Sequence, residues 1–433
     1  MQSQNAELAT FPMTDHIDAQ VGHVETRRPV TGRFMFAYAL AQYAAWLGIM
    51  TPVILTIALK VGSLATGAQK GVYLSTVLAI GAFGAMVACP IWGAISDRTK
   101  FRYGKRKVWL IMGSFFLFTG LLTMGLSTSL FGLAAGWLIC QVGSQATQAS
   151  LNALMPDIVP DHQQGRMSAL LGLTINLAFV SGAFVTQFTG GNMLAMFLIP
   201  WLPGPFAIAY LLTQFDDHPA AHMPKFSAMD MLRTFWVNPI RHPDFGWAFF
   251  SRFMMFTSAA FFMSYQLFFL TDHVGVSSTA VLGMIFSCTL ATTTLSLIFT
   301  PLSGWISDRL GRRKPLVFGA GIVVAIGLMA VSMAHTFNHF FIASAIYGSG
   351  LAVYYAVDIA LCTAVLPDPN DAAKDMGVIQ IANSLPQSLA PTIAPIFLAI
   401  GSTTASNYPA VFVAASLISL IGSAAILPIR GCR

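Results

Sequence analysis

Asp358 is the residue around which chemistry can be organised in this chain. It sits in Tyr354-Tyr355-Ala356-Val357-Asp358-Ile359-Ala360-Leu361-Cys362, inside a stretch that otherwise reads as a membrane-spanning helix. An acid at that depth is disfavoured by about 2.5–3.5 kcal/mol on insertion scales, so such residues face a bundle interior or a water-filled cavity and mark ion or substrate paths. A carboxyl that takes up a proton there loses its charge, which is the property a proton carrier needs. The plainer alternative is a structural carboxylate paired with a neighbour. Arg252 lies under two turns inside another apolar stretch and has two readings. It snorkels to the membrane interface, or it pairs with Asp358 or with a carboxylate on a solute.

Amides and aromatic rings recur at helical spacing. Gln141, Gln145, Gln148 and Asn152 step by 4, 3 and 4 and fall on one helix face. Such a stripe faces protein or water rather than lipid, as interhelical glue or as cavity lining. Tyr347, Leu351, Tyr354 and Asp358 share another face; so do Tyr38, Gln42 and Trp46, and so do Arg252, Phe256, Ala259, Met263 and Gln266. Gln380, Asn383 and Gln387 share a helix interrupted by Pro386, Pro391 and Pro395, a candidate hinge. Rings beside hydrogen-bonding groups suit the apolar faces and hydroxyl edges of a sugar, and suit an amphiphilic drug equally.

The elements that must position these residues are transmembrane helices. Hydrophobic residues make up 55% of the chain and charged residues 9%, well below the ~25% charged of soluble proteins. Twelve stretches are long enough to span, at 34–59, 71–95, 108–127, 129–155, 168–188, 193–213, 246–270, 278–305, 316–335, 338–366, 376–401 and 408–428. Segments this apolar satisfy their backbones in lipid as helices. The expected fold is an all-α membrane protein of twelve transmembrane helices in two pseudo-symmetric six-helix bundles. The bundles take 34–213 and 246–428, joined by a central loop at 214–245 and flanked by tails at 1–33 and 429–433.

Twenty of the 23 Lys and Arg fall on one side of this arrangement. The positive-inside rule puts both termini, 96–107, the central loop and 309–314 in the cytoplasm of a multi-pass cell-membrane protein. The net charge of +6 resides in those loops and does not indicate nucleic acid. Residues 1–26 lack the apolar core of a signal peptide. The five cysteines form no CxxC pair, and His335 and His339 have no acid beside them, so neither a disulfide framework, a metal nor a cofactor is expected.

The chain repeats itself. Ile91-Trp92-Gly93-Ala94-Ile95-Ser96-Asp97-Arg98 answers to Leu302-Ser303-Gly304-Trp305-Ile306-Ser307-Asp308-Arg309, and Met155-Pro156-Asp157 to Leu366-Pro367-Asp368. The aspartates in each pair are 211 residues apart. One offset shared by two features indicates two homologous halves, and a repeat of this kind points to a transporter with its site between them. The glycines, Gly93 and Gly304, are expected to allow close helix contact. The pairs Asp97–Arg98 and Asp308–Arg309 lie at the cytoplasmic end, where the aspartates are expected to gate.

This doubled motif, with Gly104-Lys105-Arg106-Lys107 and Gly311-Arg312-Arg313-Lys314 after it, resembles the signature loops of the major facilitator superfamily across residues 34–428. The resemblance implies alternating access about a central cavity lined by helices one, four, seven and ten, with Asp97, Arg98, Asp308 and Arg309 in the cytoplasmic gate. That favours Tyr38, Gln42, Trp46, Gln145, Gln148, Asn152, Gln266, Tyr354 and Asp358 as cavity residues. Asn383 is the further candidate from the eleventh span. The long loop from Ser96 to Trp109, together with Lys374-Asp375-Met376-Gly377 and Asn383-Ser384-Leu385-Pro386-Gln387, resembles glycoside–pentoside–hexuronide:cation symporters and sucrose-transporter-like proteins. Unlike melibiose-type members, the N-terminal spans carry no Asp or Glu before Asp157. A sodium site of that type is therefore disfavoured, and Asp358 is the leading coupling group.

No G-x-x-x-x-G-K-[ST] loop is present, so the energy source is an ion gradient or the solute's own. Three functions compete: proton-coupled sugar or glycoside symport, proton-antiport efflux of a drug or metabolite, and a non-transporting membrane receptor. No nucleophile–base pair supports an enzyme. The expected partners are a small-molecule substrate, a proton in preference to sodium, and the lipid bilayer. The chain is expected to act as a monomer.

Overall fold

The computed structural model describes residues 29–66, 69–102, 104–189, 191–217, 241–277, 280–310, 312–365, 372–401 and 406–429. Among them, twelve helical spans follow one another with no strand between. They are α1 (Gly32–Leu64), α2 (Gln69–Arg98), α3 (Lys107–Leu126), α4 (Leu130–Ile158), α5 (Asp161–Gln187) and α6 (Met193–Leu212). In the second half they are α7 (Pro243–His273), α8 (Val281–Leu310), α9 (Lys314–Ser332), α10 (Phe337–Ala364), α11 (Ala372–Leu398) and α12 (Tyr408–Ala424). Each expected span is a helix, with ends moved by a few residues. Most of the expected N-terminal tail and central loop lies outside the described residues.

The outer surface is that of a protein in lipid. Phe83, Phe115, Phe131 and Phe206 stand exposed on the outside of the bundle, an arrangement that water would penalise and hydrocarbon does not. Nine of the described helices are long and apolar enough to cross a membrane. The amides of α4 lower its hydropathy, and α12 is only 17 residues long.

The packing repeats. α3 packs on α4, α2 on α4, α1 on α5 and α6, and α3 on α6; α9 on α10, α8 on α10, α7 on α11 and α12, and α9 on α12 reproduce the set six helices later. The halves meet through α2 with α11 and α5 with α8, pairs that exchange under the same pseudo-two-fold relation. Glycines make the tightest seams. A Cβ on Gly120 of α3 would lie 2.5 Å from the Cys140 amide nitrogen of α4, and one on Gly327 of α9 would lie 2.5 Å from the Tyr347 amide nitrogen of α10. Small residues let backbones approach, and dispersion then holds them.

Gly93 and Gly304 do not play that part. A Cβ at either would meet nothing within 4 Å. The close contacts fall instead on α3–α4 and α9–α10, where the helix axes themselves converge. The first helix of each half also loosens near one end: α1 becomes a π-helix at Pro52–Thr56 and α7 at Phe269–His273. Pro52 lacks the N–H an α-helix would use there, and π segments of this kind are frequent at functional sites.

Candidate substrate and coupling site

α7 and α10 bring Arg252 and Asp358 together. Both are buried, 6% and 2% exposed, and Arg252 Nη1 donates to Asp358 Oδ2 in a buried ion pair. Arg252 therefore turns inward and does not snorkel. Its Nε donates to Asn383 Oδ1 of α11 at 2.6 Å, and its guanidinium stacks over Phe256 at 5.1 Å. Cys362, one turn along α10, sends its thiol toward Asp358 Oδ1 at 3.7 Å. A buried charge persists only when paired and hydrogen-bonded, and here three helices supply the partners.

Ser251 and Tyr354 complete the surroundings. Both are buried, at 1% and 0% exposure, and their hydroxyls are neighbours beside Arg252. The two hydroxyls lie against each other without ideal hydrogen-bond geometry.

The first half holds a neutral counterpart. Gln42 Nε2 of α1 donates to Gln148 Oε1 of α4 at 3.0 Å, leaving Gln42 Oε1 and Gln148 Nε2 buried without partners. Tyr38 donates its hydroxyl to the Leu151 carbonyl at 2.5 Å. The amide pair joins α1 to α4 as the ion pair joins α7 to α10, so the corresponding helix pairs of the two halves are bridged, one by neutral groups and one by charges.

The other expected cavity residues are more scattered. Trp46 and Gln145 are half-buried and Asn152 is exposed, as a water-filled lining allows. Gln266 is buried but stands 14 residues along α7 from Arg252, about 21 Å at a rise of 1.5 Å per residue. It belongs to the far end of the bundle and not to the charged centre. The side chains of Asp97, Asp308 and Gln380 lie outside the described residues. Arg309 is exposed, its guanidinium over Trp305 at 5.2 Å. An apolar groove of about 410 Å³ lies between α2 and α11, lined by Ile80, Phe83, Leu385 and Leu389. It carries no charged group and does not coincide with the centre.

At the N-terminal end, a clamp that sequence reasoning missed ties the first half together. Arg106, 5% exposed, donates from Nη1 to Ser96 Oγ of α2 at 2.8 Å and from Nε to Asp157 Oδ2 of α4 at 3.0 Å. Lys105 joins Asp157 at 3.1 Å. Asp217, just beyond α6, accepts from the backbone N–H groups of Arg106 and Lys107 at 2.6 and 2.8 Å, an anion at the start of α3. Gly104 permits this turn with φ of 102°; a side chain there would strike the Asp217 carboxylate. Asp157 was visible only as a mark of the repeat; that it receives Arg106 depends on the loop's path. Arg106→Ala is expected to remove one partner each from Asp157 and Ser96, leaving those supplied by Lys105, and to cost about 1.5–3 kcal/mol of stability, the scale for hydrogen bonds to charged groups. Thermal unfolding of the purified protein measures it.

At the opposite end the halves are latched together. Lys70 of α2 meets Asp272 of α7 at 3.1 Å, and Tyr408 of α12 donates to the same carboxylate at 3.3 Å. The hydroxyls of Ser75 and Tyr265, on α2 and α7, are 2.7 Å apart and buried. Phe184 of α5 meets Phe286 of α8 at 5.5 Å. The Lys70–Asp272 side chains are 22% and 26% exposed, so the pair contributes at most about 1 kcal/mol. Asp272→Asn is therefore expected to shift the closed end toward opening by only about fivefold at low salt, and less in high salt. Labelling rates of a cysteine placed under the latch report that shift.

The comparisons with known proteins follow from this geometry. The sequence model of the Major Facilitator Superfamily matches residues 31–295 and 248–430. No curated protein matches this chain. Among solved structures, the nucleoside transporter NupG superposes with TM-score 0.70 at 12% identity, over 92% of this chain and 98% of that one. A D-xylose-proton symporter superposes with TM-score 0.69 at 13% identity, over 92% and 97%. A bacterial homologue of the human lysosomal transporter Spinster, in an inward-facing unoccupied conformation, gives TM-score 0.69 at 16% identity, over 92% and 98%. At these identities the likeness is one of fold.

Proposed function

The chain belongs to the Major Facilitator Superfamily, and from that premise we propose that it is a proton-coupled symporter of a small polar solute of the sugar or glycoside class. It is a multi-pass membrane protein and a transporter, not an enzyme. The observation that carries the proton reading is the buried Arg252–Asp358 pair with Asn383. In the paired state both charges are satisfied. A proton on Asp358 breaks the pair, frees the guanidinium and lets the half that contains it repack; loss of the proton restores it. Binding of solute and proton are then linked, and linkage is reciprocal.

The open Gln42 carbonyl and Gln148 amino group supply one acceptor and one donor, the pair that a hydroxyl or amide edge on a solute requires. The latch of Lys70, Asp272 and Tyr408 closes the extracytoplasmic side, with the termini and the Arg106 clamp in the cytoplasm. Alternating access consists of opening one end while closing the other about this centre. The chain acts as a monomer, with the bilayer as its surroundings and Asp97, Arg98, Asp308 and Arg309 at the cytoplasmic gate.

Uptake of a labelled sugar panel into right-side-out vesicles, with and without an imposed inward proton gradient, tests the reading. Accumulation is expected only with the gradient. No sugar accumulating under any condition, with extrusion of amphiphilic drugs in inverted vesicles, would replace symport by efflux.

A further inference from the structure

We propose that the solute carries a carboxylate, and that Arg252, Ser251 and Tyr354 form the site that receives it once Asp358 is protonated. This rests on the proton-coupled reading above and narrows its solute to an acidic one. The argument begins with charge. Arg252 and Asp358 neutralise each other in a buried centre. Among the described residues, Arg252 from α7 and Cys362 from α10 meet Asp358, while Asn383 of α11 and Tyr354 and Tyr355 of α10 gather about Arg252. Of these only Arg252 carries a charge. When a proton neutralises Asp358, the guanidinium is left buried with the neutral oxygen of Asn383, and an uncompensated buried charge is strongly disfavoured. A neutral sugar hydroxyl cannot restore the balance; an anionic group can.

The second argument is geometric. The Ser251 and Tyr354 hydroxyls are buried against each other in the neighbourhood of Arg252. Two hydroxyl donors beside a guanidinium match the two oxygens of a carboxylate, which accept charge-assisted hydrogen bonds from a planar fork. The third is the asymmetry between halves. The bridge between the corresponding helices of the first half, Gln42–Gln148, is uncharged and leaves one acceptor and one donor open. The site therefore offers charge recognition at one end and neutral hydrogen bonding at the other. That fits a hydroxylated or amidated carboxylate.

The inference has an electrical consequence. One proton on Asp358 and one carboxylate on the solute cross together with no net charge. Transport is then driven by a pH gradient and is indifferent to membrane potential, whereas a neutral sugar with a proton would carry one positive charge. The test uses the whole protein in proteoliposomes and three pairs that share a skeleton: glucuronate and glucose, gluconate and sorbitol, lactate and 1,2-propanediol. Uptake is followed under a pH gradient and, separately, under a potassium diffusion potential. At least one acid is expected to accumulate with the pH gradient and not with the potential, about tenfold faster than its neutral partner. Ser251→Ala and Tyr354→Phe, which leave the ion pair in place, are each expected to raise KM for that acid by about tenfold. A neutral member that accumulates equally well and responds to the potential would overturn the carboxylate while leaving proton symport standing. Transport of no member, or transport of an acid unchanged by Asp358→Asn, would overturn both.

Discussion

Asp358→Asn is expected to abolish gradient-driven accumulation while leaving exchange of solute between the two sides. One pH unit of gradient is worth about 1.4 kcal/mol, or about tenfold accumulation for one coupled proton. The variant should lose that factor entirely. Asparagine keeps the size of the side chain and a hydrogen-bonding oxygen for Arg252, but it cannot take up a proton. Solute can still bind and the halves can still rock, so counterflow of labelled against unlabelled solute should persist. Comparing accumulation with counterflow in the same vesicles separates loss of coupling from loss of the protein. Loss of both would mark Asp358 as structural, which was the plainer reading of an acid inside a span.

The second large effect is energetic. Arg252 and Asp358 are 6% and 2% exposed and satisfy each other across α7 and α10. Removing one member of a buried pair costs about 3–5 kcal/mol because the other is left uncompensated, whereas replacing both by apolar groups of similar volume is often neutral or stabilising. Arg252→Met and Asp358→Leu are each expected to destabilise on that scale. The double variant is expected to recover most of the loss and to transport nothing against a gradient. Thermal unfolding in detergent of the two single variants, the double variant and wild type closes the cycle. Additive losses would mean that the two side chains do not support each other. The expected non-additivity would say that the pair is retained for function, since apolar packing would serve stability as well.

The fold was legible because its cause is local and repeated. Each span had to be helical in lipid, and the 211-residue offset of the two Ser-Asp-Arg motifs announced two halves. The structure adds which helices touch. Gly93 and Gly304 looked like contact glycines because small residues let membrane helices approach, yet the close seams fall on Gly120 and Gly327, which periodicity alone does not single out. A glycine on any helix looks the same until the crossing point is known.

The site was partly legible for a similar reason. Asp358 was conspicuous because a charge in a span is costly. Tyr38, Gln42 and Gln148 are buried between helices, on faces that the 3.6-residue period marks out. The face does not give the depth, and so Gln266 was grouped with residues about four turns away. Arg252 was ambiguous because a long side chain near a helix end reaches either water or a buried partner. The Arg106–Asp157–Asp217 clamp was not legible at all, since it depends on a positive-φ glycine turning the loop back on itself.

The most direct test of the coupling claim counts protons. Purified protein in weakly buffered solution with a pH indicator is mixed with a saturating transported solute, and the protons taken up per solute bound are measured for wild type and Asp358→Asn. The account predicts one proton per solute in wild type near neutral pH and none in the variant. Uptake of a proton by both, or by neither, would contradict it and remove Asp358 from the coupling path.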